Sequence, residues 1–426
     1  MLDRAEVPLI ARTAVGVLAA EAVATASHAA ADLAGSAHAQ ADGARIAVAY
    51  TSERWVRWDG RPQIAFAPLS AFFPTRDGWV RTHGTYPHHA AALRRGLSLP
   101  PDADTDAVAA ALQRSTSDDA AAAISAEGGL CVRVESESPL PAAGAAGSET
   151  VTVSRIGDAP PRPLPGGPVH APLRGIRVLD LTRVIAGPVA TRTLALLGAD
   201  VLRIDTPRVP EIRWQHLDTG HGKRSALLDL TATGDRAVFD ALLETADVVV
   251  LGYRPAALDR LGLSPAALAA RRSGVIIGRL TAWGSPDRRG FDSLVQAETG
   301  IAWVESADGR TPGSLPAQAL DHSAGYRLAA SIMTLLARRA AEGGSWLAET
   351  SLRRMAAELL ALPRRTELPA APVLDGTGHL QTFDVEGVAL VTPAPAISYA
   401  GAPAAFAAPR PWGRDEPAWN EAPDAA

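Results

Sequence analysis

Residues 172–362 predict a doubly wound α/β fold built on a parallel sheet, on two observations. Near-continuous Val/Ile/Leu runs recur as GIRVLDL, DVLRID, SALLDL, DVVVLGY and VIIGRLTAW, the composition of strands covered on both faces. Between them lie segments of helical length and period, AGPVATRTLALLGA and TGDRAVFDALLETA among them, as expected when each strand is followed by a crossover helix.

Taken in chain order, the region before this domain reads differently. Residues 8–35 form an Ala-rich helical stretch, and AFFPTRDGWVRTHGTYPHHAAALRRGL places Asp77-Gly78 as a hairpin turn between short β-like runs followed by a helix. TDAVAAALQRSTSDDAAAAISAEGGL reads as two further helices, so residues 1–135 are expected as a small α+β domain. Residues 136–171 are dense in Pro, Gly and Ser, the composition of a linker. Within residues 172–362 the run ends with two short helices, the strand VIIGRLTAW, the long helix DHSAGYRLAASIMTLLARRAAEGG and the closing SWLAETSLRRMAAELLAL. Residues 363–426, rich in Pro and Ala, are expected as an extended C-terminal tail.

Composition narrows the function classes. The 426 residues are 47% apolar and 20% charged, the balance of a globular protein long enough for two domains, since single cores stop growing at roughly 250–300 residues. The net charge is −5 and no basic tract appears, which argues against nucleic acid as a partner. Cys131 stands alone, so a disulfide framework or cysteine metal site within one chain is not expected, and a reducing, cytoplasmic setting fits. The ten histidines show no HxxxH or HExxH spacing, so no metal is expected. The apolar stretch from Pro8 to Ala24 is interrupted by Arg12 and Glu21, unlike a signal peptide or a membrane span.

An open parallel sheet binds its ligand beyond the carboxyl ends of the strands. The turn after the first strand, TRVIAGPVATR, contains a single glycine, Gly187, where a dinucleotide site would need several. Asp321 stands where the long helix starts. Two roles fit it: an N-cap accepting amide protons, or a carboxylate kept ionised by the helix N-terminus and aimed into a cleft as a nucleophile. The stretch TGHGKRSALLDL holds the only lysine, Lys223, for which no catalytic role is expected.

Six stretches together resemble the family III CoA-transferases of the CaiB/BaiF type: PLRGIRVLDLTRVIAGPVATRTLALLGADVLRID, GHGKRSALLDL, ADVVVLGYRPAALDRLGL, RRGFDSLVQAETG, ALDHSAGYRLAASIMTLLARR and EGGSWLAETSL. The resemblance implies a Rossmann-like CoA-binding domain that moves CoA from an acyl-CoA to a carboxylic acid through an aspartyl anhydride and thioester. Acyl-CoA is then a substrate, with no permanently bound cofactor, and a homodimer is expected. Carried over by position, Asp321 resembles the family's nucleophile. Val184, Ile185 and Ala186 resemble the wall along the CoA, Leu228, Gly252 and Tyr253 further CoA contacts, and Arg260 and Arg289 basic residues set against its phosphates. A solvated helix face is the other reading of Arg260. The chain departs from the family in several places. Thr206 stands where an arginine is usual, with Arg208 or Arg213 as substitutes; Gly252-Tyr253 replaces an Asn-Phe type pair; Phe291 stands where related racemases carry a histidine. The segment resembling the family's small domain precedes the α/β domain instead of following it, and no Gly-rich flap is recognisable. An acyl-CoA racemase or epimerase and a non-catalytic CoA-binding subunit are therefore the alternatives.

Overall fold

A computed structural model describes residues 6–137, 149–368 and 374–420. Part of the expected linker (138–148) and parts of the expected tail (369–373 and 421–426) lie outside the described residues. The strands, in chain order, are β1 (Arg57–Trp58), β2 (Arg61–Pro62), β3 (Phe72–Thr75), β4 (Gly78–Thr82), β5 (Cys131–Arg133), β6 (Thr152–Gly157), β7 (Arg177–Leu181), β8 (Asp200–Asp205), β9 (Arg224–Leu227), β10 (Val248–Leu251), β11 (Ile276–Thr281), β12 (Ser345–Ser351), β13 (Leu380–Val385) and β14 (Val388–Pro393).

The central sheet has seven strands in the order β6-β12-β11-β10-β7-β8-β9. β7 to β12 are mutually parallel, with Val248 opposite both Val178 and Ile276. Their apolar runs are explained by burial on both faces. Val248 and Val250 point into one core with the helices Val15–Ala34, Ala186–Leu196 and Ala319–Glu342, whereas Val249 and Leu251 point into the other with Phe239, Leu242 and Leu268. The expected doubly wound α/β domain is thus present. A second sheet, β3-β4-β5, packs three helices around Leu93, Val108, Leu112 and Ile124.

Three features depart from the sequence expectations. The helix Val15–Ala34, expected within the small domain, buries Leu18, Ala22, Val23 and Ala26 in the same core as the long helix Ala319–Glu342, while the amides of Arg12 and Thr13 donate to the Glu305 carboxylate. Its alanines give a smooth surface that a second helix can approach closely, and this decides where it docks. Residues 152–157, expected as linker, form β6, the antiparallel edge strand against β12. The tail is not simply extended: β13 and β14 make a hairpin whose turn places Glu386 (φ 53°) and Gly387 (φ 80°) in the left-handed region, the conformation that tight hairpins need. β14 then pairs with β1. Beyond it, Trp412 Nε1 donates to Asp205 Oδ2 (2.9 Å), and Asp415 pairs with Ser225 on the other sheet edge.

The lone lysine ties strand to helix. Asp180 on β7 is fully buried; its Oδ1 accepts from Thr182 Oγ1 (2.5 Å) and its Oδ2 from Thr191 Oγ1 (2.5 Å) and Lys223 Nζ (3.0 Å). Lys223 Nζ also donates to Pro188 O at 2.9 Å and to Thr191 Oγ1 at 2.6 Å. Burial lowers the lysine pKa to about 8, with Asp180 pulling the other way. In the same first turns the helix Ala186–Leu196 meets the long helix at Gly325, where a Cβ would lie 2.5 Å from Ala186 O and 2.8 Å from Val189 Cβ. Lys223→Met strands the Asp180 charge in the core and is expected to cost about 3–5 kcal/mol of stability, measured by denaturant unfolding; a loss under 1 kcal/mol rejects this role.

Candidate active site

Three strand ends and one helix start converge on the site. After β7 the chain turns through Arg183, Val184 and Ile185 into the helix beginning at Ala186. Val184 has φ 72°, a strained conformation for a β-branched residue, and the Asp180–Thr182–Lys223 knot below holds the turn in place. After β10 come Gly252, Tyr253 and Arg254, and after β11 the segment through Trp283 to Phe291. A cleft of about 300 Å³ is lined by Val184, Ala186, Gly252, Tyr253, Arg289 and Asp321, together with Tyr86, His88, His89, Arg183, Arg254, Arg288 and Phe291. A smaller hollow of about 40 Å³ adjoins it, lined by Ile185, Phe66, His83, Trp214, Glu53 and Gln318, and shares Val184, Tyr86, Phe291 and Asp321 with the cleft.

Asp321 is not the N-cap of the long helix. Gln318 holds that position, and Asp321 is the third helical residue. Only 6% exposed, it touches both hollows, and its carboxylate makes no hydrogen bond or ion pair among the described residues. Its own amide donates to Asp292 Oδ2 (2.9 Å). Asp292 is fully buried and held from the other side by Gln296 Nε2 (2.5 Å), while Gln296 Oε1 accepts from the amide of Leu315 (2.9 Å). The orphan amides of the helix start are therefore satisfied by Asp292, which leaves Asp321 free to face the hollows. Burial, reinforced by the nearby Asp292 charge, raises the Asp321 pKa well above the usual carboxylate range. The shift runs opposite to the expectation of a carboxylate kept ionised by the helix start, because desolvation and like charge outweigh the helix N-terminus.

The cleft mouth is basic. Arg183 is held by Glu211 (3.2 Å) and by the carbonyls of Val209 and Pro210, and Arg288 by Glu298 and the Trp283 ring (3.9 Å). Arg289 donates to Gly128 O (3.1 Å). Neither Arg289 nor Arg254 makes an ion pair among the described residues. The Arg254 pKa is lowered by burial and further by the charges of Arg289 and Arg260. Beneath the mouth, the buried Arg203 donates to Asp205 (2.7 Å) and Glu211 (2.8 Å), and these carboxylates accept from Tyr253 Oη (3.1 Å) and Tyr86 Oη (2.6 Å). Both rings are fixed by that network. Glu211 is held down to about 2 against its burial by Arg203 and Arg183.

Of the residues expected from sequence, Val184, Ala186, Gly252, Tyr253, Arg289 and Asp321 are brought together, and Ile185 faces the smaller hollow. Leu228 is not at the site: it is buried among Leu202, Phe239 and Leu258 in the second core. Arg260 ends its short helix exposed, outside the lining, and reaches the site only through its charge on Arg254. Arg208 and Arg213 do not line the cleft; Arg208 pairs with Asp229 and Thr231, and Arg213 lies over Trp58 at 5.8 Å. Arg183, Arg254 and Arg288 went unread, although each sits directly after a strand or in the loop that follows one. The histidine group from the small domain could not be read locally at all. His83 stacks on Phe291 with ring centroids 3.8 Å apart and planes 6° apart; burial, with His89 and Arg81, lowers its pKa to about 3 and keeps it neutral.

The family model for CoA-transferase family III matches residues 173–383. The α/β half of this chain belongs to CoA-transferase family III. Among curated proteins, the probable fatty acyl-CoA transferase Rv3272 of Mycobacterium tuberculosis is 32% identical over 207 residues, 45% of this chain and 52% of that protein. A formyl-CoA:oxalate CoA-transferase of Rhodopseudomonas palustris is 31% identical over 186 residues, 40% and 44% of the two chains. A crystal structure of Rv3272 aligns with TM-score 0.42 at 31% identity, covering 48% of this chain and 57% of that one. This chain spans about half the length of the curated relatives it matches. Within the family III segment lie Val184, Tyr253, Arg254, Arg289 and Asp321, whereas His83, Tyr86, His88 and His89 reach the cleft from outside it.

Asp292→Asn removes the like charge and is expected to lower the Asp321 pKa, with burial still holding it above the usual carboxylate range, read from the carboxyl ¹³C titration of Asp321. An unchanged or higher midpoint rejects the coupling.

Proposed function

We propose that this chain transfers CoA from an acyl-CoA to a carboxylic acid, with Asp321 as the acyl acceptor. The observation that carries the reading is the position of Asp321: an unbonded carboxylate on the wall between an arginine-rimmed cleft and a small, partly aromatic hollow. The rim supports binding of the CoA phosphates by Arg254 and Arg289, the two guanidinium groups there without an ion pair among the described residues. The smaller hollow suits the acyl group.

In this reading the Asp321 carboxylate attacks the thioester carbonyl and CoA thiolate leaves, giving a mixed anhydride. The thiolate then attacks the aspartyl carbonyl of that anhydride, releasing the donor's carboxylate and leaving an aspartyl thioester. The acceptor carboxylate attacks this thioester, CoA thiolate leaves once more, and its attack on the new acyl carbonyl releases acyl-CoA and restores Asp321. Each step trades one acyl–heteroatom bond for another, so no redox group enters. Burial of Asp321 keeps water from both intermediates. The nucleophile is the ionised form, so a raised Asp321 pKa places an acidic limb on kcat/KM that climbs with pH. Residence in the cytoplasm and assembly as a homodimer belong to the same proposal.

One observation favours a second reading, acyl-CoA epimerisation: the neutral imidazole of His83 lines the smaller hollow with Asp321, an acid–base pair of the kind that proton exchange at an α-carbon needs. Solvent deuterium entering the acyl α-carbon without an acceptor acid, and lost in His83→Ala, would select it.

Asp321→Asn is expected to cut transfer at least about 10³-fold, and hydroxylamine added with acyl-CoA should leave a hydroxamate at Asp321 in the wild type alone. Transfer that survives the substitution refutes the role. Replacing both Arg254 and Arg289 with Gln should raise KM for acyl-CoA about 10–100-fold, the loss of charge-assisted hydrogen bonds, with kcat affected less. A fall confined to kcat would argue against phosphate recognition there.

A further inference from the structure

The cleft described above occupies the carboxyl ends of the parallel strands, where this architecture binds ligands. A larger hollow, about 840 Å³, opens at their amino ends. It is framed by Arg177, the first residue of β7, Asp200, the first of β8, Asp247 just before β10, Gly274 just before β11, and the segment after β6 that carries Arg162. Nothing in CoA transfer uses this end of the sheet.

Its charges are unbalanced. Asp200 is matched by Arg224 (2.7 Å), and Asp247 by both Arg162 (3.0 Å) and Arg339 (3.1 Å). Arg174, Arg177 and Arg272 also line the hollow, and among the described residues none of their three guanidinium groups makes an ion pair, although the Arg177 amide donates to Asp247 Oδ2 (3.1 Å). Arg177 lies over the Trp419 ring at 5.6 Å, and Arg272 spends only Nε, on Ala246 O (2.8 Å). Against them stands Glu244, the one acid of the lining without an arginine partner among the described residues. Beneath the wall, Arg339 is 1% exposed with Nε and Nη2 unpartnered. Arg272 and Arg339 are both held below the usual guanidinium range, first by burial, with the Arg162 charge adding to it. Stranded guanidinium groups around a concavity are the arrangement that planar, bidentate phosphate recognition requires. Ala159, Pro160 and Ala199 give the same hollow an apolar side, and its volume falls in the range of small-molecule sites.

We propose that this hollow is a second binding site, separate from the catalytic cleft, for a phosphorylated small molecule of about nucleotide size, held by Arg174, Arg177 and Arg272. The proposal is independent of the catalytic reading.

Inorganic pyrophosphate serves as the probe, by calorimetry on the full chain. Two sites are expected. Arg174→Gln, Arg177→Gln and Arg272→Gln combined should remove one and leave CoA binding and transfer as in the wild type; Arg254→Gln with Arg289→Gln should remove the other. Because Arg177 opens a core strand, the exposed Arg174→Gln alone guards against misfolding and should weaken the second site about threefold. A single site, abolished by the Arg254/Arg289 substitutions and untouched by the triple variant, overturns the proposal. A triple variant that keeps both sites but changes its oligomeric state also overturns it, and makes this face a contact between copies of the chain.

Discussion

The Lys223–Asp180 ion pair is the constraint on which the site depends. A strand can deliver a turn to the edge of a sheet, but the turn's direction is set by what anchors both its sides. Here one carboxylate holds the hydroxyl of Thr182 before the turn and of Thr191 in the helix after it, and a single ammonium group binds both the carboxylate and the Pro188 carbonyl. With its ends tied, the turn can keep Val184 in a backbone conformation that costs of order 1–3 kcal/mol. Lysine suits this position as a compact ammonium with three donors, all of which are used.

The same division of labour appears around Asp321. Two acids lie at one helix start, and their environments separate their tasks. Asp292 accepts from the backbone amide of Asp321 and from Gln296, so its charge is spent on the helix end. Asp321 receives none of these bonds and bears the desolvation. A carboxylate with poor hydrogen-bond support is a better nucleophile than one already saturated with donors. The long helix is brought within reach of the Val184 turn by the close approach at Gly325, where a side chain would meet the backbone of Ala186.

Much of this was legible in the sequence where a single local rule decides the outcome. The central strands could be read because strands buried on both faces are dominated by apolar residues, most plainly Val248–Leu251. β6 could not, since an edge strand with exposed faces, VTVSRIG, lacks that run and sits in Pro- and Gly-rich surroundings. The β13–β14 hairpin carried a readable signal, alternation around Glu386-Gly387, masked by the Pro/Ala composition of its neighbours. At the site, Asp321 stood out because it starts a helix, whereas Val184 and Tyr253, in turns that follow strands, were named only through the family resemblance. Leu228 and Arg260 matched by position, yet one turns into a core and the other into solvent. The stacking of His83 on Phe291 joins residues more than two hundred positions apart, and no local pattern encodes such a meeting.

Both margins of the parallel β7–β12 array are flanked by chain from outside the doubly wound domain. β6 covers β12 on one side; on the other, the stretch around Gly413 and Asp415 bonds to Ser225 of β9 and buries the Leu227 side of that strand against Gly413. Unpaired margins invite intermolecular strand addition. The α/β half is consequently not a detachable module: trimmed to its own crossover units, it would present two sticky borders, and the flanking segments act as its solubilising selvedge.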